Sequence, residues 1–484
     1  MNTLGIDIGT SSVKIALLGD DDHVIATASR PLNVTRPHPG WSEQQADDWW
    51  TAIEQCLDEL KSAQGPALSA VVSIGLSGQM HGATLLDADG QVLRPCILWN
   101  DGRSGPQCER LTRDWPDLHK VTGNLAFPGF TAPKLMWVAE HEPEIMRRVA
   151  KVLLPKAYVR YRLCGDYLED MSDASGTLWL DVARRDWSDA ALAATGMHRD
   201  QMPRLVEGNA VSGTLTEALS KRWGFAKPPL IAGGAGDNAA GAVGLGAISA
   251  GDAFVSLGTS GVLWATTAAY APAPERAVHA FCHALPGTWH QMGVVMSAAA
   301  SFAWWAGVTG KPELELLNEL GAEPAPSPCW FGPYLNGDRT PHNDTQVQGG
   351  FAGLTGGTTR ADMTLAVLEG VAYAMRDCQQ ALASAGTTLH EADVIGGGAR
   401  SPLWCQIMAD ALGITLHQVA ESEIGCALGA ARLARMAAGE PMSALRKPAR
   451  LRSYVPRPER SAEYARRHAQ WQHLYPALSS FAKA

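Results

Sequence analysis

Apolar and polar positions alternate from the start of the chain: Leu4, Ile6 and Ile8 are spaced by two, and so are Val13, Ile15 and Leu17. This period predicts two half-buried strands, one ending at Ile8 and one starting at Val13, joined by the turn Gly9-Thr10-Ser11-Ser12. An Asp-rich turn from Gly19 to Asp22 and the run "HVIATASR" extend the pair into a β-meander. Trp50, Ile53, Leu57 and Leu60 then fall at helical spacing and predict a helix from about Asp47. "AVVSIGL" reads as a further strand, and Asp89-Gly90 within "LLDADGQVL" as a hairpin turn. The expected fold class is mixed α/β.

Beyond the Gly- and Ala-rich stretch "AGGAGDNAAGAVGLGAISAGD", the segment "AFVSLGTSGVLWAT" repeats "LGIDIGTSSVKIAL" without a gap. The match predicts two homologous halves, 1–246 and 247–484, whose Gly-Thr-Ser turns face a common ligand; the alternative is a coincidence of common turn residues. Asp7 stands where the second copy has Ser256, so one half alone carries the carboxylate. A third cluster, Gly396 to Gly398, follows a strand ending at Val394-Ile395 and precedes a helix with Pro402 in its first turn. Such a unit can clamp a phosphorylated or flat ligand, or simply permit close packing.

A turn of small residues exposes N–H groups and hydroxyls that suit a phosphate. Asp7 would repel that phosphate unless a cation lay between them; an ordinary polar hairpin is the alternative. The net charge of −9 gives no electrostatic reason to bind nucleic acid or an anionic membrane surface, so an anionic ligand needs local donors or a divalent cation. With 484 residues, 46% hydrophobic and 18% charged, the chain is expected to form two soluble domains. No apolar run approaches a membrane span and no leader pattern follows Met1, which predicts a cytoplasmic protein. Nine cysteines without a Cys-x-x-Cys pair argue against a disulfide framework or a zinc site.

Missing motifs narrow the chemistry. "GVTGKP" has Trp305 and Pro312 where a P-loop needs glycine and a hydroxyl, and Gly244 and Gly246 lack the strand and the third glycine of a dinucleotide fingerprint. "GLSGQ" and "GTSGV" fail as nucleophile elbows, and His141-Glu142 lacks a zincin's second histidine. Dehydrogenase, P-loop ATPase and serine hydrolase are thereby set aside.

The motifs that remain resemble those of the sugar-kinase, actin and heat-shock-chaperone ATPase superfamily, with its duplicated ribonuclease-H-like domains flanking a cleft. Asp7-x-Gly9-Thr10 resembles its first phosphate motif, Gly258-Thr259-Ser260 the second, and Gly396-Gly397-Gly398-Ala399-Arg400 the adenosine motif. "GFTAPKLMWVAEH", with Thr131, Lys134, Trp137 and His141, resembles the first signature of the FGGY carbohydrate kinases. "GGFAGLTGGTTRADMTLAVLE", with Gly353, Asp362 and Glu369, resembles the second. Within that branch, "SGQMHGATLLD", "LWNDGR", "PHPGWSEQ", "SDASGT" and "GDNAAGAVG" look like the bacterial members that act on D-xylulose.

The resemblance implies transfer of a phosphoryl group from ATP to D-xylulose, with the sugar and metal side in the N-terminal half and adenosine in the C-terminal half. Asp7 is the expected Mg2+ residue, with a turn-capping Asp as alternative. Thr10, Ser11 and Lys14 are expected at the transferring end of ATP, although a strand lysine is often only solvated; Gly258, Thr259, Ser260, Gly397, Gly398 and Arg400 complete the nucleotide side. The family assigns Asp237 as general base and Asn238 as a sugar ligand; an N-cap Asp is the alternative for Asp237. Met80 and His81 offer the sugar an apolar wall and a ring, His81 being otherwise an interior histidine. Trp99, Asp101 and Arg103 are candidates for the same pocket, with a salt-bridge role open for Arg103. Related kinases of ribulose or gluconate, and a chaperone- or actin-like switch ATPase, are the rival readings; a DNA-binding sensor lacks its appendage. A homodimer is compatible with the sequence.

Overall fold

In the computed structural model, which describes residues 1–420 and 425–482, the opening meander is present: Asn2–Ile8, Ser12–Leu18 and Val24–Pro31 pair antiparallel in succession. The strand Val71–Gly78 lies parallel to Asn2–Ile8, and Leu230–Ala232 and Val211–Thr214 continue the seven-stranded sheet. The helix Ala46–Ser69 begins one residue before the expected start and sets Trp49, Trp50, Ile53, Leu57 and Leu60 against Leu4, Ile6, Ile8 and Val13. Pro66 lies inside it, and Gln64 leaves helical geometry just before.

The expectation of a half-buried first strand is not met, since Thr3, Leu4, Gly5 and Ile6 are all buried. The reason lies more than four hundred residues away. The helix Gly425–Ala437, which the two-half division assigns to the C-terminal half, covers the second face of this sheet. It lies so close that a Cβ on Gly5 would stand 1.9 Å from the Ala427 carbonyl oxygen, and one on Gly75 1.8 Å from that of Ala430. Arg432 fastens it through Asp22 (2.7 Å) and the Gly244 carbonyl (2.6 Å), and Arg435 through the Gly19 carbonyl (2.6 Å). The small residues of the Asp237–Leu245 helix serve the same close packing.

The chain divides into two units, Met1–Ile248 with Phe281–Trp289 and Ile424–Lys447, and Ser249–Ala280 with His290–Glu423 and Pro448–Ala484. The sheet of the second unit repeats the first: Ala253–Leu257 and Gly261–Thr267 pair antiparallel, and Glu391–Ile395 runs parallel to Ala253–Leu257. One detail escapes the ungapped sequence match. Ile8 pairs with Val13, whereas Leu257 pairs with Gly261, so the second turn is one residue tighter. Its sheet packs on the helices Arg360–Ser384 and Pro402–Leu412 through Val255, Leu257, Leu263, Leu368, Val371 and Met408. Among the described residues no helix is long and apolar enough to cross a membrane.

Candidate active site

Strand register gathers the N-terminal candidates at one edge. Asp7 pairs with Ser77 across the parallel strands, and Ser77 with Ala235, so the chain leaves Ile8, Gly78 and Gly236 at neighbouring carboxyl ends. Ligands of α/β sheets bind at such ends. The Gly9-Thr10 turn, the Gln79-Met80-His81 loop and Asp237 all begin there.

Asp7 is partly buried, and its Oδ1 accepts from Ser77 Oγ at 3.0 Å. Burial pushes its carboxyl up to about 6, against the opposing pull of Ser77 and of Lys14, which pairs with it across the hairpin. Asp237 is the first residue of its helix and Gly236 the N-cap. Its Oδ1 accepts from the Asn238 N–H (2.7 Å) and Nδ2 (2.9 Å), so the capping alternative does not describe it. Burial, and next the negative charge of Asp7, push Asp237 up to about 7. Two carboxyls at one sheet edge, both raised by burial and Asp237 raised further by the charge of Asp7, suit a divalent cation beside one and a proton on the other.

Thr10 is held on both sides. Its hydroxyl donates to Gln79 Oε1 (3.0 Å) and accepts from Trp99 Nε1 (2.9 Å), while Gln44 Nε2 donates to its carbonyl (2.7 Å) and Gln79 Nε2 to Gln44 Oε1 (2.8 Å). Trp99 thus spends its N–H on the turn, and the residue is 41% exposed. Ser11 and Lys14 are exposed beside it.

Met80 is buried, with its thioether against the backbone of Gly236 and Gly176. His81 adopts φ +70°, a left-handed conformation uncommon for a non-glycine residue. Its ring Nδ1 lies 2.7 Å from the Gly176 carbonyl, so that nitrogen carries the proton, and Phe130 meets the ring edge-on at 4.6 Å. Thr131 Oγ1 (3.1 Å) and Lys134 Nζ (2.8 Å) donate to the His81 carbonyl.

For Arg103 the geometry shows the salt-bridge alternative. Its side chain is 1% exposed, pairs with Asp101 (2.7 Å) and Glu43 (2.8 Å), and lies 3.6 Å from the centre of the Trp41 ring. Asp101 is likewise consumed, accepting also from the Ser42 N–H at 2.6 Å. Both brace the loop that presents Trp99. Gln44, Gln79 and Ser77 lie in the stretches "PHPGWSEQ" and "SGQMHGATLLD" but are not singled out by sequence reasoning, which has no sign of their partners.

In the second unit the carbonyls of Gly258 and Thr259 accept from Ala299 (2.8 Å) and from Ala298 and Ala300 (3.0 and 3.2 Å). Gly396, at φ +89°, abuts the start of this Gly258-Thr259-Ser260 turn: a Cβ there would stand 2.7 Å from the Leu257 carbonyl carbon. The second Gly-Thr-Ser turn and the Gly396–Gly398 cluster are therefore adjacent, while Gly397 faces open space. A cavity of about 660 Å³ opens beside Arg400, lined also by Leu314, Leu317, Asn318, Leu403 and Tyr454. The residues of the two signatures are braces: Asp362 closes a capping box with Thr359, and the buried Glu369 accepts from Tyr464 at 3.1 Å.

A meander built twice, each copy extended by a parallel strand, is the plan of the actin-like ATPase fold on which sugar kinases are built. The chain belongs to the FGGY family of carbohydrate kinases, whose N-terminal domain matches residues 2–244 and C-terminal domain residues 253–438. It is 48% identical to the xylulose kinase of Escherichia coli and 46% identical to that of Klebsiella pneumoniae, in each case over 98% of this chain and 99% of the relative. A solved xylulose kinase from Brucella ovis superposes with a TM-score of 0.97 at 48% identity, covering 99% of this chain and all of the other. Membership of the family implies ATP as phosphoryl donor.

Proposed function

We propose that the protein transfers the γ-phosphoryl group of ATP to the 5-hydroxyl of D-xylulose. The observation that carries this reading is the Asp7–Asp237 pair beside the Met80-His81 loop, in a chain nearly half identical to xylulose kinases over its whole length. Asp237, held near neutrality, takes the proton from the sugar hydroxyl as its oxygen forms the new bond to phosphorus and the bond to the ADP oxygen breaks. Asp7 would hold Mg2+, which supplies charge neutralisation for the phosphate oxygens; two partly buried carboxyls, one raised by the charge of the other, fit that cation. Asn238 orients Asp237 through its 2.9 Å bond and lies beside it at the sugar end. Met80, His81 and the exposed Trp99 form the sugar wall, with Arg103 bracing the Trp99 loop.

Thr10, Ser11 and Lys14 are assigned to the terminal phosphates. Gly258, Thr259, Ser260, Gly397, Gly398 and Arg400 are assigned to the rest of the nucleotide, and the cavity beside Arg400 is of a size to take a nucleoside. The test is ADP release over a panel of D-xylulose, D-ribulose, gluconate, glycerol and xylitol. D-xylulose should give the highest kcat/KM, and a clear preference for another member would overturn the substrate assignment.

A further inference from the structure

A fully enclosed charge cluster lies behind the catalytic edge of the first unit. Lys156, in the helix Pro155–Cys164, meets Glu169, Asp170 at 2.8 Å and Asp173 at 3.6 Å, and all four side chains are at most 1% exposed. Three carboxylates facing one ammonium in a dry interior are a poor source of stability compared with apolar packing. The hydrogen bonds that leave the cluster suggest another use. Asp170 caps the helix Met171–Ser175, its Oδ1 accepting from the Ser172 N–H (2.8 Å) and from Ser172 Oγ (2.5 Å). That fixes the hydroxyl proton of Ser172 on Asp170 and turns an oxygen lone pair outward. The lone pair accepts from the N–H of Gly236 at 3.0 Å, and Gly236 is the residue that delivers Asp237 to the site. One turn further along the same segment, the Gly176 carbonyl accepts from the His81 ring.

We propose that Ser172 is a positioning residue for phosphoryl transfer: oriented by Asp170 and Lys156, its hydroxyl holds the Gly236 amide and thereby the direction of the Asp237 carboxylate. The proposal deepens the reading of Asp237 as base and rests on it. Ser172 touches no reacting atom. Its removal leaves a buried N–H unpaired at the one peptide that aims the base, and misplacement of a catalytic group by about 1 Å is enough to cost on the order of a hundredfold in rate.

The test is a double-mutant cycle read by the single-turnover rate of phosphoryl transfer, with KM for sugar and ATP and thermal melting recorded for each protein. Ser172→Ala should slow transfer roughly ten- to a hundredfold while both KM values stay within about threefold. In an Asp237→Asn background the same change should add almost nothing, because the group it aims is gone. Ser172→Cys, a weak acceptor, repeats the test should the alanine variant melt early, and should slow transfer in the same direction. Wild-type rates in the folded Ser172 variants, or a loss that multiplies in full on top of Asp237→Asn, would overturn the positioning role. The base reading fails separately: it falls if Asp237→Asn by itself keeps near-normal turnover, whatever Ser172 does.

Discussion

The ammonium of Lys134 donates to the carbonyl oxygen of His81 at 2.8 Å, pinning a residue whose φ of +70° the chain would not hold unaided. A second bond from Lys134 reaches the Gly129 carbonyl at 2.7 Å, so one enclosed side chain ties the Met80-His81 loop to the start of the helix Thr131–His141. Among the described residues no carboxylate bonds to it, and burial pulls its pKa down to about 7.

Lys134→Met keeps the side-chain volume but removes both bonds. Losing hydrogen bonds of this kind costs about 1–3 kcal/mol where the acceptors stay buried. KM for D-xylulose should therefore rise about tenfold or more with a smaller change in kcat, and steady-state kinetics at saturating ATP measures it. Stability should also lose a pH dependence. Between pH 7 and the ordinary lysine value of 10.5 the unfolded chain carries a proton at this site that the folded chain does not, so the wild type gains stability as pH rises above 7; the gain disappears as pH falls back to 7, below which both states are protonated and the dependence ends. The gain is up to about 1.4 kcal/mol per pH unit. Denaturant midpoints at pH 7 and pH 9 should show it in the wild type and not in the variant.

The close approach of the helix Gly425–Ala437 to the first sheet gives a stability test. Gly5→Ala or Gly75→Ala would drive a methyl group into a carbonyl oxygen, and such overpacking costs about 1–3 kcal/mol or more. Melting should fall by several degrees for either variant. Gly307→Ala, in the helix Ala299–Thr309 with no neighbour within 4 Å of the added carbon, should be neutral or slightly stabilising.

The meander, the repeated turn and the strand–glycine–helix unit at Gly396 were legible because each is local, a matter of period two and of turn residues within about fifteen positions. Burial of the first strand on both faces was not, because the covering helix comes from far along the chain, and a period-two pattern carries no sign of it. Arg103 illustrates a second limit: its chemistry fits a sugar hydroxyl or an ion pair equally, and the decision rests with Glu43 and Trp41, some sixty residues upstream. Gln44, Gln79 and Ser172 were passed over for the same reason. Their meaning lies in partners 34 to 69 positions away, Thr10, Gln44 and Gly236 among them.

Asp7 is the residue proposed to hold Mg2+. Asp7→Asn preserves the bond from Ser77 and removes the charge that a cation needs. The Mg2+ concentration for half-maximal activity should rise by about an order of magnitude or more, as a lost ligand charge weakens a hard cation that prefers carboxylate oxygen. A Mg2+ titration of turnover at fixed ATP reads this directly. An unchanged Mg2+ requirement would return Asp7 to a capping role.

Asp237→Asn is the sharpest test of the chemistry. The change is nearly isosteric, and Asp237 is the first helical residue rather than the cap, so helix geometry gives little reason for a large loss. A positioned base is worth about 10² to 10⁴ in rate, and kcat should fall by at least roughly two orders. The ATP dissociation constant should hardly move, because the residues proposed for the nucleotide are those of the two Gly-Thr-Ser turns, Lys14 and the Gly396 cluster, and Asp237 is not among them. The pH profile supplies the second readout. With Asp237 raised to about 7 and active when ionised, kcat/KM should climb as pH rises towards 7 and level off above it. Mg2+ beside Asp7 offsets the repulsion between the two carboxylates and moves that limb downward. The variant should lose the limb altogether, and a limb that persists in Asp237→Asn would mean that a different group accepts the proton.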